Sequence, residues 1–425
     1  MLWPTLVRRL GALLAVGGAA AILAATLSPN PQQATASAAT PLLCLLCGEG
    51  GGTDVFLNLL LFAPMAAGLR LAGWPWRRVV AGSALLSLGV EYLQFAVVPG
   101  RDSSLSDLLT NTSGAALAAA IAPYLPGVVA PGPALARRLL ACALAFQLGV
   151  MILSAIGFMP SVPSGPIRSE CTSYTAALGA WTGRLESVAL NGVTLPCDER
   201  VRDSAAVRGA LLAEATRLRL AGVSGAPDGR IMVHAIRAGS EAVLAVIQDG
   251  RAVAFNVPTV SRRLRLSPVT LHFAGGLPAE PGTPLVLQAG REGPRLWMTS
   301  SYSGQRRSTE VKLSPFLGWT SLLWWGLEPG SRLRVLTAIW LGALVLPVGY
   351  WAGFTRQRVR GIGAVAAALV AGLWLIPLVT GYPPAGWSEW LGGVLGATLG
   401  GALYRLAAYL QSRCGSPSTS AYSSS

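Results

Sequence analysis

Lysine is almost missing from this chain: of its 33 basic residues only Lys312 is not arginine, and it has 19 acidic residues and two histidines. Charged residues make up 12% of the total, about half the share of a soluble domain. That scarcity excludes a surface wetted on all sides, and with 52% hydrophobic residues the chain must give much of its surface to lipid. Two histidines in separate stretches cannot form a metal-spaced cluster, and no nucleophile elbow around Ser or Cys is present. No metal or cofactor is therefore expected. The net charge of +14 suggests nucleic acid in a soluble protein, but the arginines here fall in short clusters between apolar runs, so loop topology explains them and no nucleic-acid partner is expected. Abundant Ala, Gly and Arg with little Lys is the composition of a GC-rich bacterial genome.

What the chain does have is long apolar runs. A bilayer core about 30 Å thick takes about 20 apolar residues as helix. Eight stretches qualify: 6–27, 55–72, 79–98, 108–125, 139–158, 335–354, 362–380 and 390–410. Arg8 and Arg9, Arg70, Arg77 and Arg78, Arg137 and Arg138, Arg356, Arg358 and Arg360, and Arg413 all fall on alternate sides of these runs. The other short loops carry only Arg101. The positive-inside rule then places both termini in the cytoplasm and the long segment between the fifth and sixth spans outside, in a bacterial inner membrane. The first run also has the basic start and the small Ala34-Thr35-Ala36 of a cleavable signal peptide. It is long for that role, which favours a retained helix; cleavage leaves seven spans in the same orientation.

Three domains follow: 1–159 with five spans, 160–330 outside, and 331–425 with three spans and a polar tail. The outer segment holds short runs such as Arg230–Ile236, Ala242–Ile247, Val253–Val257 and Val269–Phe273, broken by Gly and Pro, with Asp249-Gly250 offering a hairpin turn. The pattern predicts an antiparallel β sandwich. Cys171 and Cys197 are its only cysteines, and an oxidising compartment favours a disulfide between them over two free buried thiols. His234 and His272 sit in strand-like runs and read as packed or surface histidines. The Trp-rich stretch from Pro315 reads as an interfacial segment that seats the domain, or simply as its last strand and linker. Cys44 and Cys47 form a C-x-x-C with no thioredoxin-like surroundings. Asn111-Thr-Ser at a span entrance is a chance sequon.

Ionisable groups within spans are costly and call for a partner or a purpose. Asp54 and Asn58 are four apart on span 2, Glu91 and Gln94 three apart on span 3, and Asp107 and Asn111 four apart on span 4. Each pair shares one helix face, and Arg101 lies in the loop joining spans 3 and 4. Because spans 2 and 4 run inward and span 3 outward, all seven residues converge at similar depth as an outward-facing polar cup. Ser106-Asp107 is the expected N-cap of span 4. Mutual hydrogen bonding that ties three helices together is the plain alternative to a binding site; three carboxylates in one place favour the site.

These residues carry a resemblance. Thr26-Leu-Ser-Pro, the run from Asp54 through Asn58, Phe62, Pro64 and Gly68, the Ser87-Leu-Gly-Val-Glu-Tyr-Leu-Gln-Phe segment and Pro99 to Gly114 resemble the signatures of the VanZ-like membrane family over roughly 6–125. The family takes its name from a teicoplanin-resistance protein, so the resemblance implies envelope or glycopeptide-related biology. It points to Asn58, Glu91, Gln94, Arg101, Asp107 and Asn111 as the shared positions. The Cys44-to-Gly52 insertion departs from the pattern, and the Trp387-to-Gly401 stretch echoes it weakly, reading best as a small-residue packing face. The outer segment resembles concanavalin A-like, laminin-G-type jelly rolls, which implies a carbohydrate- or cell-wall-binding module.

Three functions compete. The first is an accessory envelope protein whose cup binds a headgroup, glycan or glycopeptide-like ligand. The second is an enzyme on a lipid-linked substrate, with Glu91 or Asp107 as acid or base and Arg101 clamping phosphate. The third is a proton-coupled transporter using Glu91; against it, the polar groups are confined to the outer half, with none completing a path inward.

Overall fold

The computed structural model describes residues 2–28, 51–98, 104–171, 179–227, 229–239, 241–323, 326–355 and 358–414. Arg101, Cys44, Cys47, Trp324 and Trp325 lie outside them. Among the described residues, eight helices are long and apolar enough to cross a membrane: Thr5–Leu27, Gly51–Leu71, Trp76–Ala96, Leu105–Val129, Pro133–Gly157, Ser331–Gly353, Val359–Val379 and Trp387–Leu410, here spans 1 to 8. Span 2 is interrupted at Phe62, because Pro64 cannot donate to the preceding turn.

Spans 1 to 4 share one buried cluster built on Ile22, Phe62, Met65, Val79 and Val90. Spans 5 to 7 build a second around Met151, Leu341, Leu344, Val345 and Leu373. Glycines set the closest approaches. Gly392, Gly396 and Gly400 of span 8 face Ala338, Gly342 and Leu346 of span 6 so tightly that an added Cβ would meet the facing carbonyl oxygens at 2.3, 2.2 and 2.3 Å. The echo in span 8 is therefore the expected packing face, built as small-xxx-small contacts are.

Between spans 5 and 6 stands a separate β domain. Its strands are β1 (Ile167–Glu170), β2 (Gly179–Ala180), β3 (Arg184–Leu190), β4 (Val193–Thr194), β5 (Glu199–Arg200), β6 (Ala215–Val223) and β7 (Arg230–Ala238). They continue as β8 (Glu241–Asp249), β9 (Ala252–Asn256), β10 (Thr270–Phe273), β11 (Pro284–Glu292), β12 (Arg295–Tyr302) and β13 (Gln305–Lys312). One sheet runs β10-β9-β8-β7-β1-β5, with β2 added parallel to β7; the other runs β13-β12-β11-β6-β3-β4. Leu218, Leu220, Ile236, Leu244, Phe255, Leu287 and Leu296 fill the space between the sheets. The four strand-like runs fall on β7 to β10, with only Val257 and Val269 just outside β9 and β10, and β8 turns into β9 through Gly250 at φ +59°, the positive φ that a glycine-first two-residue loop requires. β7 and β8 differ from simple alternation, being buried on both faces, with Met232, Ala245 and Ile247 forming a further small cluster. Their near-continuous apolar sequence fits that double burial.

The Cys171–Cys197 disulfide is present, with a Cα–Cα distance of 5.3 Å. His234 of β7 is fully buried, its Nδ1 3.9 Å from Cys171 Sγ. Its removal from water lowers its pKa to about 4.

The β domain is bonded to the bundle at several points. Arg291 donates to the Phe158 carbonyl at the end of span 5 at 3.0 Å and shares a side-chain hydrogen bond with Tyr382, between spans 7 and 8, which in turn donates to the Ala155 carbonyl of span 5 at 3.1 Å. Every residue of the 3-10 turn Pro315–Ser321 is buried, and Trp319 donates its indole N–H to Thr337 of span 6 at 3.3 Å. This Trp thus packs against protein.

The remaining seam involves span 2. The backbone N–H of Gly52 donates to the Arg265 carbonyl at 2.9 Å. Thr53 Oγ1 accepts the Ser267 N–H at 2.8 Å and donates to the Ser321 carbonyl at 3.1 Å. A Cβ on Gly52 would stand 2.4 Å from the Leu264 carbonyl oxygen, so only glycine admits this contact. The first four N–H groups of a helix have no partner within it; here the Arg265 carbonyl of the β-domain loop takes two of them, those of Gly52 and Thr53.

Candidate functional site

The polar residues of spans 1 to 4 gather at the end of the bundle that carries the β domain. Asn58 Nδ2 donates to Asp107 Oδ1 at 2.7 Å, joining spans 2 and 4. Gly114 permits the approach, since a Cβ there would meet the Leu59 carbonyl oxygen at 2.2 Å. Asn111 Nδ2 donates to Ser87 Oγ at 3.0 Å, joining spans 4 and 3. Gln94 Nε2 donates to the Thr26 carbonyl at 2.9 Å, joining span 3 to the last turn of span 1.

The start of span 4 differs from the expected cap. Ser104, rather than Ser106, is the N-cap, and its side chain accepts the Asp107 N–H at 3.1 Å. In a capping box the acid at the third helical position returns to the cap's own N–H. Here Asp107 turns to Asn58, and Glu91 of span 3 takes the Ser104 N–H at 2.7 Å instead. Glu91 thereby sits where the partial positive charge of the span 4 N-terminus favours an anion.

Burial grades across this layer. Asp54 is exposed, Asn58 and Asp107 are half-buried, and Glu91, Gln94 and Asn111 are buried at 8, 8 and 2% exposure. The expected open cup is therefore a graded set of interhelical pairs, because the polar faces of spans 3 and 4 turn toward each other. Only Asp54 and the Asn58–Asp107 pair reach the surface among the described members. Arg101 belongs to the undescribed loop. No group of three His, Cys, Asp or Glu able to hold a metal ion occurs among the described residues.

The sequence match covers this same region. Residues 17–126 match the family model described as VanZ/LLP1. No curated protein and no solved structure matches the chain. The VanZ-like segment is thus about a quarter of the 425 residues, and it contains every bond of the polar layer just described. Ser104, Ser87 and Thr26 enter the layer as partners that spacing did not single out. Ser87 and Thr26 stood in the resembling motifs, and Ser104 lies three residues before an acid, the spacing of a capping box.

Proposed function

We propose that the chain is a multi-pass protein of the bacterial cytoplasmic membrane, with both termini inside and the β domain outside. The polar layer of its VanZ-like segment receives an envelope ligand: a lipid headgroup, a glycan or a glycopeptide-like molecule. The observation that carries this reading is the position of the layer. Two carboxylates and two amides, Glu91, Asp107, Asn58 and Asn111, from three spans lie at the end of the bundle that holds the β domain, with Asp107 and Asn58 reaching the surface. The arginine asymmetry supports the orientation, and the VanZ-like match supports the envelope. The β sandwich, on the concanavalin A-like resemblance, adds a carbohydrate- or wall-binding surface beside that layer.

The test is complementation of a deletion strain by Asp107→Asn, Asn58→Leu and Arg101→Ala, scored for lipid-linked glycan turnover and glycopeptide tolerance with protein abundance measured in parallel. Loss of complementation at normal abundance is expected. Wild-type behaviour from all three at normal abundance would leave the layer as a helix-tying device and overturn the binding role.

A further inference from the structure

The polar layer continues inward along span 3. Ser83, Ser87 and Glu91 are spaced at i, i+4 and i+8, one face of one helix, and their exposures are 0, 0 and 8%. Spans 3 and 4 are antiparallel, and the Ser87–Asn111 hydrogen bond sets their register. That register brings Glu91 level with Asp107 and Ser83 level with Ala115, a fully buried residue with only a methyl to offer. At 1.5 Å rise per residue the face extends inward by about 12 Å.

Two buried atoms along this seam, Ser83 Oγ on span 3 and Asn111 Oδ1 on span 4, have no hydrogen-bond partner among the described residues. In hydrocarbon such atoms are costly unless something satisfies them. The facing residues on span 4 cannot, being Ala115 and, one turn further, Ala119. The alanine methyls offer the hydroxyls no hydrogen-bond partner, and polar groups spaced a helix turn apart are what a bound water needs.

We propose that spans 3 and 4 enclose a narrow file of water running from the Glu91–Asp107 layer inward to Ser83. The ligand class is water itself, held by Ser83 Oγ, Ser87 Oγ and Asn111 Oδ1. Its consequence is that Glu91 exchanges protons with a hydrated path reaching into the membrane. Such a path would carry hydrated polar groups past the outer half of the bundle. The proposal rests on the same layer as the function above but not on any envelope ligand, so the two fail separately.

Thiol accessibility tests it. In full-length protein in lipid nanodiscs, with Ser in place of Cys44, Cys47, Cys142 and Cys414, the Ser83→Cys and Ser87→Cys variants are compared with Leu85→Cys and Leu88→Cys, whose side chains are 70 and 54% exposed on the outside of the bundle at similar depth. Silver ion, small enough to follow water, binds the thiol and releases its proton to water; protection against a maleimide added after denaturation reads the extent. At least tenfold faster blocking of Ser83→Cys than of Leu85→Cys is expected, and Ser87→Leu in the Ser83→Cys background should abolish it. Equal rates for Ser83→Cys and Leu85→Cys would overturn the proposal. Should Ser83→Cys fail to fold, Ser87→Cys against Leu88→Cys reads the same path one turn nearer its mouth, and equal rates there overturn it as well.

Discussion

The seam between span 2 and the β domain makes a sharp prediction, because two adjacent residues hold it in different ways. Thr53 is fully buried and its hydroxyl makes two hydrogen bonds, one accepted from Ser267 and one donated to Ser321. Thr53→Val keeps the shape and removes both. The Ser267 N–H also donates to the Ser321 carbonyl at 3.0 Å, so it keeps one partner after the change. The loss therefore belongs at the lower end of the cost of unmaking buried hydrogen bonds, about 1–2 kcal/mol. Gly52→Ala acts by volume instead. Its methyl would lie 2.4 Å from the Leu264 carbonyl oxygen, and backbone must move to admit it, for about 1–3 kcal/mol.

For a domain of this size each 1 kcal/mol moves the thermal midpoint by roughly 2–4 °C. Thr53→Val should lower the β-domain transition in nanodiscs by about 2–8 °C, and Gly52→Ala by at least as much. Both should also speed proteolysis in the loop around Leu264 to Ser267. If Thr53→Val leaves the midpoint and the cleavage pattern as in the parent, span 2 is not anchored by this seam and the reasoning fails.

Four further outcomes follow from the same structure. The disulfide spans 26 residues, which in the chain-entropy view is worth about 3.5 kcal/mol; Cys171→Ser with Cys197→Ser should lower the β-domain midpoint accordingly, and an unchanged midpoint refutes that share. His234 has a folded pKa of about 4 against 6.5 in the unfolded chain, so the unfolded state takes up the proton first as pH falls. The β domain should keep this stability above pH 6.5 and lose up to about 3 kcal/mol between there and pH 4; in His234→Gln the denaturation midpoint should vary less over that window. Gly396→Leu should cut the amount of folded protein several-fold in membranes, because the facing Gly342 carbonyl has no room for a side chain; normal abundance would argue against tight packing of spans 6 and 8. Alkaline phosphatase fused after Gly250 should be active and after Arg138 inactive, and the reverse would invert the proposed topology.

Much of this architecture was legible in the sequence because it rests on repeated patterns. Long apolar runs declare spans regardless of what they touch, and the runs in β7, β8, β9 and β10 declare strands. That Asn58 and Asp107 lie at similar depth followed from helix spacing and the alternating direction of the spans, whereas their direct bond did not. What the sequence hid are contacts made by backbone atoms, which carry no residue signature. Nothing in Gly52 or Arg265, far apart in the chain, announces that an N–H of one meets the carbonyl of the other. The Glu91 bond to the Ser104 N–H is hidden for the same reason. Burial of Glu91 also escaped, since a carboxylate near a span end reads as solvent-facing until the register of its neighbour is known.

The backbone contacts change what the polar layer is. The β domain is inserted between spans 5 and 6, yet it grips span 2 through Gly52 and Thr53. Asp54 follows immediately, and Asn58 one turn later carries the bond to Asp107. Asp107 lies three residues after Ser104, whose N–H is held by Glu91. The Thr53–Ser267, Asn58–Asp107, Asp107–Ser104 and Ser104–Glu91 contacts thus connect the β-domain loop to Glu91 through hydrogen bonds and two turns of helix. The β domain and the VanZ-like segment are joined in this way at the start of span 2, five residues before Asn58.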